Sequence, residues 1–152
     1  MSGLVYIAKH ASTAYTNAAS VVFQLTTATG SPLTIHQFKL QSNALTSAQA
    51  IVICQWGYYA TGTAAGTSYT PQATVLRNTV APATTFRFAS ATLGTTFTAV
   101  DEFQWNIAAP WESTNGLPAS KIEVQAGKVW ALILPNASGT PTISGDITFE
   151  EY

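Results

Sequence analysis

No stretch of this sequence repeats apolar residues at a helical spacing, whereas short runs of β-branched and aromatic residues recur with Gly, Pro, Asn or Ser between them. A chain of that kind can hide its apolar side chains only on the faces of sheets, so it reads as all-β. Residues 20–27 show the pattern: Val21, Phe23 and Leu25 alternate with Val22 and Gln24, and Ala28-Thr29-Gly30-Ser31-Pro32 follows as a turn. Residues 33–41 begin with Leu33 and Ile35 in phase and continue with Phe38 and Leu40 out of phase. One inserted residue near His36 and Gln37 accounts for the change of face, which predicts a β-bulge there.

The rest of the chain follows the same grammar. Residues 4–9 form a candidate first strand, and the polar, Ala-rich residues 10–19 read as an arm. Residues 42–49 are polar and read as holding a helical turn. Residues 51–59 are apolar on both faces, which predicts a central strand buried on each side. Residues 60–70 are low in complexity and read as a loop. Further strands are expected at 73–77, 84–89, 95–99, 102–107, 121–124, 129–134 and 140–150, with a tight turn at Ala126-Gly127-Lys128. Phe103, Trp105 and Ile107 share one face; Ile143, Ile147 and Phe149 share another. Short strands at this spacing predict one domain, a double-sheet β-sandwich of the jelly-roll kind, although period 2 alone does not separate it from an immunoglobulin-like sandwich. The 152 residues divide into an N-terminal strand or arm, 1–19, and the sandwich, 20–152. A chain of this length buries roughly 70% of its extended surface and needs no disulfide or metal staple.

Charge is scarce. Only 9% of residues are Asp, Glu, Lys or Arg, against about 25% in an average domain. A monomer normally keeps its neighbours away with a charged surface, so this composition predicts an outside covered by copies of the same chain. The net charge of −1, with scattered Lys and Arg, provides no electrostatic footprint for nucleic acid and no polybasic run for a membrane. No apolar run nears the roughly 20 residues that span a bilayer, and Lys9 follows the N-terminal apolar stretch rather than preceding it, so no secretory signal is expected. Cys54, flanked by Ile53 and Gln55, reads as a buried strand thiol.

Catalytic apparatus is not apparent. His10 and His36 lie in different segments without metal-ligand spacing. Asp101-Glu102 and Glu150-Glu151 are strand neighbours that point to opposite faces and cannot pair as acid and base; solvated strand ends are expected. No nucleophile elbow or phosphate loop is present, so neither an enzyme nor a cofactor or metal is expected. The aromatic residues are the conspicuous resource. Trp56, Trp105 and Trp130 lie inside strand patterns and read as core, while Trp111, in the Pro-bounded segment Ala109-Pro110-Trp111-Glu112-Ser113, reads as an exposed contact. The candidate contact residues are Leu4, Val5, Tyr6, Ile7 and Tyr15 of the N-terminal segment together with Tyr58, Tyr59 and Trp111. The small side chains of residues 2–19 allow that segment to add a strand to a neighbour's sheet, or to serve as the first strand of its own subunit. A second use of the aromatics is a platform for sugar rings, Trp111 with Tyr58 or Tyr59, in a carbohydrate- or receptor-binding module of a tail fibre or surface appendage.

The order of several segments carries a resemblance. Phe23-Gln24-Leu25-Thr26, Pro32-Leu33-Thr34-Ile35-His36 running into Leu40-Gln41-Ser42, then Phe103-Gln104-Trp105-Asn106, Val124-Gln125-Ala126-Gly127 and the closing Ser144-Gly145-Asp146-Ile147-Thr148-Phe149-Glu150-Glu151 resemble small β-sandwich structural proteins of tailed bacteriophages, from about Val21 to Glu151. The likeness implies a capsid decoration, or cement, protein: a homotrimer made in the host cytoplasm that sits on the capsid surface over junctions of the major capsid protein. It brings no catalytic residues. The chain departs from similar sequences at residues 42–49, which lack acidic side chains.

Overall fold

A computed structural model describes residues 3–15, 19–42, 51–59, 66–75, 80–90, 96–113, 121–136 and 141–152. Those residues form strands β1 (Leu4–Ala14), β2 (Ser20–Thr26), β3 (Leu33–Ser42), β4 (Ile51–Tyr59), β5 (Thr67–Tyr69), β6 (Gln72–Ala73), β7 (Thr85–Ser90), β8 (Phe97–Asn106), β9 (Trp111–Glu112), β10 (Ile122–Val124), β11 (Val129–Leu134) and β12 (Thr142–Glu151). They build two antiparallel sheets. Sheet A runs β10-β3-β12-β1-β6, with β9 also on β3; sheet B runs β5-β7-β2-β11-β4-β8.

The pairing follows one rule. β1 pairs with β12, β2 with β11, β3 with β10 and β4 with β8, so the chain behaves as one long antiparallel ribbon. Successive rungs of that ribbon alternate between sheets A and B. A ribbon rolled so that its rungs alternate between two facing sheets is a jelly roll, the arrangement that strand periodicity by itself could not select.

The inner faces meet in one core. Phe38 of β3 lies 5.6 Å from Trp130 of β11, and His10 of β1 lies 4.6 Å from Phe88 of β7, so each pair bridges the two sheets. In β11 Trp130, Leu132 and Leu134 join this core, while Val129, Ala131 and Ile133 join Val21 and Tyr59 in a second buried cluster on the opposite face of sheet B. β11 is therefore buried on both sides, as is its neighbour β2.

The predicted bulge is present. Thr148 faces Gln37 and Phe149 faces Ile35, leaving His36 as the extra residue that lets Ile35 and Phe38 both point inward. A further bulge at Val100 unites the expected strands 95–99 and 102–107 into the single strand β8. The turn after β10 has Gly127 at φ 73°, a backbone conformation that glycine adopts without strain. Buried Thr27 pins that turn: its hydroxyl lies 2.9 Å from the Gln125 carbonyl and 2.8 Å from that of Lys128, and it accepts the Lys128 N–H at 2.8 Å.

Several expectations need correction. The first strand expected at 4–9 is present but longer: residues 10–14, read as arm, continue β1 to Ala14, and the segment serves as a strand of its own subunit, between β12 and β6 inside sheet A. β4 is not buried on each side, because it neighbours the edge strand β8, and its outward Ile51 and Ile53 are 57% and 38% exposed. Residues 67–69, read as loop, pair with β7 as β5. The helical turn expected in residues 42–49 lies, apart from Ser42, outside the described residues.

Candidate functional site

The side chains expected at contacts separate into two groups. Tyr6, Tyr15 and Tyr59 are 1%, 3% and 1% exposed, so the chain's own core takes up almost all of their surface. Tyr6 stacks on Phe149 at 5.7 Å, and Tyr59 packs against Phe97 at 5.1 Å. Trp111 is not an exposed loop residue either. It pairs across to Leu40 as part of β9 and stacks face to face on Phe103, centroids 4.0 Å apart and planes 8° from parallel. Proline placed the turn correctly, but Phe103 one strand away determines where the indole rests. Leu4 stays exposed, and Val5, Ile7 and Tyr58 are half-buried.

Exposed large apolar residues gather in two places. The first is the outward face of sheet B beside its edge, where Ile51 and Ile53 of β4 face solvent; Val100, 53% exposed, bulges from β8 further along, between the Trp56 and Gly57 rungs. β4 alternates without interruption, so Ile51 and Ile53 share the face that carries Tyr59 and continue the buried Val129, Ala131 and Ile133 cluster into solvent. The second lies on the other sheet, where Leu4, Val80 and Tyr152 surround a groove of about 340 Å³ with Tyr6 in its wall. The Tyr6 hydroxyl donates to the Val80 carbonyl at 3.2 Å and holds one side of that groove in place.

Adjacent carboxylates have become structural clamps. Glu150 accepts the Gly3 N–H at 2.9 Å and lies 3.1 Å from His36 Nε2, while Glu151, on the opposite face, accepts the N–H groups of Ala83 and Thr84. Burial works against the charged form of Glu150, but hydrogen bonds from His36, Tyr152 and Gly3 outweigh it and hold the carboxyl below the usual range. These glutamates are partly covered clamps rather than solvated strand ends. Sequence reasoning missed the role because both partners lie far away along the chain.

Three further ionisable groups, His10, Tyr15 and Cys54, are buried. Burial drives the His10 imidazole down to about 4, and its Nε2 shares a hydrogen bond with the Tyr15 hydroxyl, whose own ionisation burial pushes far upward. Burial likewise raises the Cys54 thiol to about 12, so it is not a thiolate at neutral pH. Among the described residues no three His, Cys, Asp or Glu side chains converge as a metal-binding group. Comparison of the chain with protein-family models, with curated proteins and with solved structures finds no match.

Proposed function

We propose that this protein is a structural component of a virion, a capsid decoration protein that works by adhesion. The observation that carries the reading is the pair of apolar patches on opposite sheets of a chain with 9% charged residues. One patch, at Ile51 and Ile53, suits a second copy of the chain; the other, the groove at Leu4, Val80 and Tyr152, suits a shell subunit beneath. A β-sandwich with two sticky faces can link copies to one another and to a shell, and so bridge junctions of the major capsid protein. Apolar area removed from water contributes about 25 cal/mol per Å², and repetition over many equivalent sites offsets the entropy lost in each association. The choice of a trimer rests on the resemblance described above.

The test has two parts. Sedimentation of the purified protein at micromolar concentration is expected to give about 48 kDa, three times the 16.1 kDa chain, and a stable 16 kDa species contradicts self-association. Cryo-electron microscopy of particles carrying this polypeptide is expected to place it repeatedly on the outside of the head. Its appearance only on the tail, or on no particle, overturns the reading.

A further inference from the structure

We infer that the cleft between Tyr58, Thr98, Glu123, Gln125 and Lys128, at one end of the sandwich, binds a neutral oligosaccharide. Its volume is about 640 Å³. A water occupies about 30 Å³ of liquid, so the cleft is far larger than a single ion needs and has room for a ligand of many atoms. That size lies within the range of roughly 300 to 1,000 Å³ typical of small-molecule sites.

Chemistry narrows the ligand. Tyr58 is the half-buried ring of the cleft, with its hydroxyl 3.4 Å from the Glu123 carbonyl, and an aromatic face matches the C–H face of a sugar. Around it stand a carboxylate that accepts, an ammonium that donates, and an amide and hydroxyls that do both, a set suited to a ligand rich in hydroxyl groups. Lys128 is matched by Glu123, so the cleft has no cationic excess for a phosphate or a sialic acid.

The walls are held before any ligand arrives. Gln125 and Lys128 sit on the turn pinned by buried Thr27. Thr98 faces Tyr58 in the β4–β8 ladder. Thr96, also in the wall, adopts φ 66°, a left-handed conformation that is rare for a β-branched residue. The cleft is also remote from the proposed self-association face. Ile51 and Tyr59 terminate opposite ends of β4, about 26 Å apart at about 3.3 Å per residue, so a sugar can bind without displacing a neighbouring copy.

The inference goes beyond the adhesive role and is tested separately from it. The full chain is applied to a glycan array of neutral, sialylated and phosphorylated oligosaccharides, and the best neutral glycan is titrated while amide NMR shifts are followed. Neutral glycans are expected to bind, with shifts concentrated at Thr96, Thr98, Gln125 and Lys128. Gln125→Ala and Lys128→Ala, both at exposed positions, are each expected to weaken binding about tenfold with the melting temperature unchanged. Tyr58→Ala is expected to abolish binding, and if that variant does not fold the two exposed variants decide alone. Absence of neutral-glycan binding at millimolar concentration, binding of charged glycans only, or full affinity in both exposed variants overturns the inference. None of these results alters the sedimentation or particle-imaging outcome.

Discussion

Glu151 accepts both the backbone N–H of Thr84, at 2.8 Å, and the hydroxyl of the same residue, at 2.6 Å. Thr84 is buried and leads into β7, so this carboxylate at the end of β12 ties sheet A to the entry of sheet B. Glu151→Ala leaves those donors without their acceptor and is expected to lower stability by about 2 to 3 kcal/mol in urea unfolding. Glu151→Gln keeps an acceptor and should lose less. A change within about 0.5 kcal/mol for the alanine variant, the usual range of an exposed surface position, would show the clamp to be unimportant.

Acid lability should begin in the imidazole range. His10 is neutral in the fold down to about pH 4, whereas its unfolded value is 6.5, so the unfolded chain binds the extra proton between those limits. Its contribution to stability is complete above pH 6.5 and is lost as pH falls toward 4, by about 3 kcal/mol in all. Glu150, also held low, adds loss only as pH falls below its unfolded value of 4.5. Unfolding free energies measured from pH 7 to pH 4 should fall for the native chain and stay nearly level over that range for His10→Phe. Equal slopes in the two proteins contradict the assignment.

The Phe103–Trp111 stack predicts an energetic coupling. A double-mutant cycle with Phe103→Leu and Trp111→Leu should give about 1 kcal/mol, the usual value of an aromatic pair beyond its buried area. Additive losses would mean that the two rings act independently.

Gly145 faces Leu40 in the β12–β3 ladder, and a Cβ there would run into the carbonyl oxygen of Lys39. Backbone cannot yield as a flexible side chain does, so Gly145→Ala is expected to destabilise by about 2 to 3 kcal/mol. Gly30 has open space around it, but its φ of 93° strains any substituent, so Gly30→Ala should cost about 1 kcal/mol through backbone conformation alone. Thermal unfolding of the two variants should rank them in that order.

Charge placed on the exposed face of β4 should oppose association. Ile53→Lys, at a position facing solvent in the single chain, is expected to leave the unfolding midpoint within about 0.5 kcal/mol of the parent and to shift sedimentation toward 16 kDa. Unchanged sedimentation would remove this face from the self-association surface.

Much of the architecture is legible as local pattern. Val129–Leu134 is a strand with the bounds that its composition predicts, and the phase change between Ile35 and Phe38 places the bulge within His36-Gln37. The closing Gly145, Phe149, Glu150 and Glu151 are each structural: close strand approach, core, and two clamps. The contact residues were less legible. Tyr6, Tyr15 and Tyr59 have the composition of contact residues, and nothing within a few positions of each indicates that the core claims them.

Alternation and turn residues, which are properties of neighbours along the chain, determined by themselves that this protein is all-β, where most strands lie and, outside bulges such as the one at Val22 that turns Val21 away from Phe23, which side chains share a face. The tertiary structure alone decided that β1 lies inside sheet A, that β4 opens to solvent beside an edge strand, that Trp111 folds down onto Phe103, and that Tyr58 meets Lys128 across a cleft. Those outcomes depend on which strand lies beside which, and a period of two residues is the same for every neighbour a strand could have.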